Sequence, residues 1–167
     1  EFFSNLVGLR DAVKHKISFV FTSFRPLPDL VPEVFKKSLL STFSRDMYLA
    51  PAEKTDMRII MITLEEQYNV PLTPETRDAL IDLSGGYVQY LQIALIRLHE
   101  EKSIPSKASD LFTLLSRDEQ IIFQSEELFE SLTKSEKELL LQIKQLNTLG
   151  TEDRQRGTYL WNTGMVR

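Results

Sequence analysis

The sequence predicts a mainly α-helical chain that opens with a small remnant of a parallel α/β sheet. Three observations predict it. From residue 52 onward the apolar residues recur three and four apart, the period of helices buried along one face. Residues 17–24, Ile-Ser-Phe-Val-Phe-Thr-Ser-Phe, are rich in β-branched and aromatic side chains and apolar at nearly every position, which suits a strand covered on both faces. Between two of the helical patterns stands Ser84-Gly85-Gly86, where paired glycines let the backbone turn sharply and expose its N–H groups at a helix start.

Residues 1–14 read as the tail of a helix, with Phe2, Phe3, Leu6, Leu9 and Val13 on one face and Arg10, Asp11 and Lys14 outside it. Arg25-Pro26-Leu27-Pro28 ends the strand that follows, because two prolines remove donors and forbid ladder pairing. A helix over 31–43 is expected from Val34, Phe35, Leu39, Leu40 and Phe43, with Lys36 and Lys37 outward. Arg45-Asp46-Met47-Tyr48-Leu49 is a short second strand candidate before Pro51. Neither strand finds a neighbour in this sequence, so the sheet is expected to be completed by the rest of a longer protein.

Met57, Ile60, Met61, Leu64 and Tyr68 make the first helical stripe of the second part, and Thr73-Pro74-Glu75 supplies an N-cap, a first-turn proline and a favourable dipole charge for a helix through Leu83. The helix after Gly86 carries Leu91, Ala94, Leu95 and Leu98, and Pro105-Ser106 breaks it. Ser116 with Glu119, and Thr133 with Glu136, have the spacing of capping boxes. The helix from Lys134 should bury Leu139, Leu140 and Ile143; a last helix is expected over 152–161, closed by Asn162-Thr163-Gly164. No internal repeat stands out.

The composition narrows the function classes. No stretch approaches the roughly 20 apolar residues that cross a bilayer, and no secretory leader is visible. Zero cysteines exclude disulfides and cysteine-based zinc sites and are compatible with a reducing, intracellular setting; the expected location is the cytoplasm. His15 and His99 sit among charged neighbours as solvated helix ends rather than metal ligands. The net charge of −4 is unevenly spread: residues 53–104 carry five basic against nine acidic side chains and 105–131 two against six, whereas 132–167 carry six against four. Only the C-terminal end could meet a phosphate backbone.

No phosphate loop, dinucleotide fingerprint or nucleophile elbow occurs, and no histidine pairs with a nucleophile. The chain instead presents, in order, Phe19-Val-Phe-Thr-Ser-Phe-Arg-Pro-Leu27, a second strand after Phe43-Ser44-Arg45, three helices with Leu83-Ser-Gly-Gly-Tyr87 and then Leu91-Gln92 at the third, and a two-helix unit containing Tyr159-Leu-Trp-Asn-Thr-Gly-Met-Val166. That succession resembles the C-terminal half of an AAA+ P-loop ATPase of the STAND or archaeal/initiator type.

The resemblance covers nearly the whole chain and implies three parts: a remnant of the ATPase core over 1–52, a helical lid over 53–104, and a winged-helix domain over 107–167 whose wing is incomplete. It implies ATP and Mg²⁺ as ligands of the longer protein, since the phosphate loop and the acidic metal-binding strand would lie upstream. Thr22, Ser23 and Arg25 would occupy the sensor-1 position that feels the γ-phosphate, with a simple strand ending as the alternative. Arg45 would stand where an arginine finger reaches a neighbouring subunit, implying possible self-association through the core; a surface role is the alternative. Gly85, Gly86 and Tyr87 resemble a Gly-Gly-x-Pro turn that packs on adenine, although Val88 stands in place of the proline. In the C-terminal unit, 133–145 and 152–161 have the lengths of a helix-turn-helix, with Lys134, Arg154, Arg156, Thr158, Tyr159 and Asn162 available for phosphates or base edges of double-stranded DNA. A protein contact through the same unit is equally compatible with its charge.

The function expected from these readings is a nucleotide-dependent switch in which the lid passes nucleotide state to the winged helix, with no turnover by this chain alone. The alternative is a non-enzymatic helical module that binds DNA or protein without a nucleotide. The run 17–21 discriminates, because a free-standing helical module has no reason to carry it.

Overall fold

The computed structural model describes residues 2–14, 16–23, 25–30, 47–101, 103–146 and 150–166. The chain forms two compact units, Glu1–Met47 and Tyr48–Arg167. The first contains helix α1, Phe2–Ala12, and the single turn α2, Leu27–Leu30.

The described residues contain no β-strand, which corrects the expected sheet remnant. Residues 16–23 have no regular structure; Val20 is 89% exposed, and Ile17 and Phe21 also face outward. Residues 47–50 are likewise irregular. The reason is physical: β-branched and aromatic side chains favour a pleated surface, but a strand exists only where a neighbour takes its N–H and C=O groups, and no described segment does so here. The expected helix over 31–43 and Arg45 lie outside the described residues.

The second unit is helical and follows the sequence closely. Helix α3, Lys54–Tyr68, buries Met57, Met61 and Leu64 and stops at Asn69 in the left-handed conformation. Helix α4, Pro74–Ser84, opens on Thr73, whose Oγ1 accepts the Thr76 amide at 3.2 Å, and closes on Gly85. Helix α5, Val88–Glu100, buries Leu91, Ala94, Leu95 and Leu98, and helix α6, Ala108–Leu115, buries Leu111 and Leu115. These four helices enclose one core, with Met57, Met61, Leu91, Leu95 and Leu111 fully withdrawn from solvent.

Helix α7, Glu119–Glu130, is different in that none of its side chains is fully buried. Its N-cap is Asp118, whose Oδ1 accepts the amides of Gln120 and Ile121 at 2.9 and 3.1 Å. Ser116, expected to open this helix, instead closes α6, because a carboxylate one residue before the helix competes better for its orphan donors. The second box forms as expected: the Thr133 amide donates to Glu136 Oε2 at 2.8 Å and the Glu136 amide to Thr133 Oγ1 at 3.3 Å.

Helix α8, Lys134–Leu146, packs Leu139 against Leu132 and Leu160 in a second, smaller core. The single last helix expected over 152–161 is two short ones, α9, Thr151–Arg156, and α10, Thr158–Asn162. Gly157 divides them because it is pressed on both sides: a β-carbon there would lie 2.5 Å from Leu139 Cδ2 and hard against the Trp161 ring. No described helix is long and apolar enough to cross a membrane.

Candidate functional site

Two stretches of irregular backbone meet in the second unit: the turn Ser84–Tyr87 between α4 and α5, and the residues 48–52 that lead into α3. Buried Ser84 donates its hydroxyl to the Ile81 carbonyl at 2.8 Å, which leaves the helix at a fixed angle. Gly85 and Gly86 follow at φ of 60° and 86°, values an L side chain rarely adopts. The Gly85 amide donates to Asp82 and the Tyr87 amide to Ser84 at 3.0 Å. These two donors, which the sequence suggested might face an outside ligand, therefore close the turn itself.

Gly86 is where the two stretches touch. Its carbonyl accepts the Ala52 amide at 2.8 Å, and a β-carbon on it would lie 2.5 Å from the Ala52 carbonyl oxygen and 2.9 Å from Pro51 Cβ. Pro51 also lies beneath Gly164, where a β-carbon would come within 2.5 Å of Pro51 Cδ. Tyr48 meets Tyr159 edge to face, with centroids 6.4 Å apart. Residues 48–52 thus form a strap that touches the turn through Ala52 and the C-terminal helices through Tyr48 and Pro51. Tyr87 packs edge-on against Tyr90, and the Lys54–Asp82 ion pair brackets the turn on the solvent side.

The expected site residues are only partly brought together. Gly85, Gly86 and Tyr87 share the turn. Thr22, Ser23 and Arg25 belong to the first unit: Thr22 is exposed, Ser23 donates its hydroxyl to the Arg25 carbonyl at 2.6 Å, and Arg25 pairs with Asp29 at 3.4 Å. Lys134 is exposed at the start of α8, facing Glu138, while Arg154 and Arg156 are exposed on α9 beside Glu152 and Asp153. Thr158 turns its hydroxyl back to the Gln155 carbonyl at 2.9 Å, Tyr159 is half-buried against Tyr48, and Asn162 is exposed. The break at Gly157 spreads these six over three helices, where the sequence places them on two.

The turn and strap offer apolar contact and backbone geometry, with no nucleophile or general base. Among the described residues no group of three His, Asp or Glu side chains is placed to hold a metal ion. The strap escaped the sequence reading, although Gly86, Gly157 and Gly164 all mark close approaches that a glycine permits. No protein-family profile, curated protein or solved structure matches this chain.

Proposed function

We propose that this chain is the lid and C-terminal helical part of an AAA+/STAND-type P-loop ATPase and acts as a nucleotide-dependent switch. In this reading the core that holds ATP and Mg²⁺ is supplied by other residues, and the chain alone does not turn over ATP. The observation that carries the proposal is the double attachment of the strap: Ala52 is bonded to Gly86, and Pro51 is pressed on Gly164. A group that displaces the turn displaces the strap, and the strap moves the C-terminal helices. A ligand shifts such an equilibrium only by contacting the turn differently in two states. The exposed apolar side chains of Ile17 and Val20 support the same reading, since they leave apolar surface in the first unit for other residues to cover.

The C-terminal helices would then be the output, contacting DNA or protein as a winged-helix-like unit. The protein contact is favoured by the acidic pair Glu152 and Asp153 beside Arg154 and Arg156, which weakens any phosphate surface there. The second reading, a helical interaction module without nucleotide, draws on the largely apolar groove beside α7.

Hydrogen exchange on the longer protein with ATP and with ADP tests the proposal. The expected result is a concerted change at 50–53, 85–88 and 157–164 between the two nucleotides. Absence of nucleotide binding by the longer protein, or ATP turnover by the 167 residues alone, would overturn it. A DNA titration against salt separates the outputs, because binding that does not weaken with salt is not a phosphate contact.

A further inference from the structure

Helix α7 stands off the four-helix core and leaves a groove of about 710 Å³ between itself, α4, α5 and α6. Its floor is largely apolar, with Leu83, Tyr87, Phe112, Ile122 and Phe129 among the lining side chains. Phe112 is 61% exposed and Ile122, Leu83 and Phe129 each about 40%. The attachment of α7 to α5 includes polar pairs: Gln89 donates to Gln124, and Tyr90 meets Ser125 Oγ at 2.9 Å. An amphipathic helix held in this way, with no side chain fully buried, keeps apolar surface available for something else.

The charge around the groove selects the occupant. Helix α7 contains Glu119, Glu126, Glu127 and Glu130 and no basic residue. Glu126 and Glu130 stand on the groove's edge. Lys137 neutralises Glu130 at 2.6 Å, but among the described residues neither Glu126 nor Glu127 makes an ion pair. Lys137 stands on Glu130 and 5.1 Å from the Phe129 ring centroid, which leaves Glu126 as the groove-lining carboxylate without an ion pair among the described residues; an unpaired carboxylate beside an apolar trough disfavours an acidic partner and attracts a basic one. The length suits three helical turns, since the 12 residues of α7 span roughly 18 Å.

We propose that this groove docks a basic amphipathic helix from a partner protein, its apolar face against Ile122, Phe129 and Phe112 and a lysine or arginine side chain over Glu126. This mode of recognition inserts apolar residues at i, i+3, i+4 and i+7 and uses flanking charge for orientation. The groove shares Ser84, Gly85 and Tyr87 with the turn, and docking there needs no nucleotide, so the inference rests on and deepens the reading of the chain as a helical interaction module.

The test uses the whole chain and a fluorescein-labelled synthetic helix of about 14 residues, with leucines at those four positions and lysines flanking them. A second peptide keeps the leucines and replaces every lysine by glutamate. Fluorescence anisotropy is expected to show the lysine peptide binding at least about tenfold tighter, with an affinity that falls as salt rises. Ile122→Asp should weaken it about tenfold and Glu126→Lys several-fold, with helical circular dichroism unchanged. Glu126→Lys is a surface change and keeps the test valid if Ile122→Asp alters the fold. Equal binding of the two peptides, or no effect of Glu126→Lys, would overturn the proposal. So would sedimentation showing a dimer that Ile122→Asp abolishes, which would assign the groove to a second copy.

Discussion

Gly157 and Leu139 are fitted to each other: a β-carbon on the glycine would fall 2.5 Å from Leu139 Cδ2, and its φ of −106° is one any residue adopts, so space alone demands glycine. Gly157→Ala is expected to destabilise the C-terminal helices by about 2 kcal/mol through overpacking. Leu139→Ala should cost about 2–4 kcal/mol by leaving a cavity. The double variant should cost less than the sum, because each change relieves the other. Urea denaturation followed by Trp161 emission measures all three, and strict additivity would show that the two residues do not share one space.

The two glycines of the turn should respond differently. At Gly86 both the positive φ and the Ala52 carbonyl oppose a side chain, so Gly86→Ala should cost roughly 2–3 kcal/mol. At Gly85 an added β-carbon meets only Tyr87 Cδ2 at 3.9 Å, so Gly85→Ala should cost about 1 kcal/mol from the left-handed backbone alone. Gly85→Asn should be milder still, since asparagine tolerates that conformation. Thermal melts of the three variants give the order, and an equal loss for Gly85→Ala and Gly86→Ala would deny the strap its contact.

Glu65 and Arg77 form a two-pronged pair, Nε to Oε2 at 2.7 Å and Nη2 to Oε1 at 3.0 Å, and Glu65 Oε1 also accepts the Leu72 amide at 3.3 Å. Donating to the Glu65 carboxylate holds the Arg77 guanidinium above its already high ordinary value, so it is charged at every working pH. Arg77→Ala should cost roughly 1–2 kcal/mol, and Arg77→Lys should restore less than half of it, since an ammonium cannot fill both prongs. Chemical denaturation at two salt concentrations reads this; full rescue by lysine would reduce the pair to a simple charge attraction.

The Glu75 carboxyl is held below the ordinary carboxylate range, first by a hydrogen bond from its own backbone amide and then by the Thr73 hydroxyl, against desolvation and the nearby Asp78 charge. Because the folded form releases its proton more readily than the unfolded chain, this stabilisation is fully present above the ordinary carboxylate value and is lost as pH falls through the lowered one. Glu75→Gln should therefore lower stability near neutrality and flatten its fall in acid. Melting temperatures from pH 7 down to pH 3 check the sign, and a parallel acid limb in the variant would refute it.

The helical part of the fold is legible because its signals are local. Thr73-Pro74-Glu75 opens α4, the Thr133–Glu136 box opens α8, and the spacing of Leu91, Ala94, Leu95 and Leu98 marks the buried face of α5. What the sequence hides depends on residues distant along the chain. A strand is a property of a pair, so the apolar run at 17–21 could not by itself show that no strand forms among the described residues. The break at Gly157 depends on Leu139 pressing from another helix, and the choice of Asp118 over Ser116 depends on a competition between positions two residues apart. Of the candidate site, the glycine turn was readable from two letters, whereas the strap Tyr48-Leu-Ala-Pro-Ala52 carries no local signal that it meets Gly86 and Gly164.

Pro51 under Gly164 makes the first and last stretches of the second unit neighbours. Such a closure gathers few local contacts before it forms, so it completes late in folding and is the first fastening to release when the unit loosens. Releasing it would uncover the Tyr159 ring that Tyr48 meets edge to face.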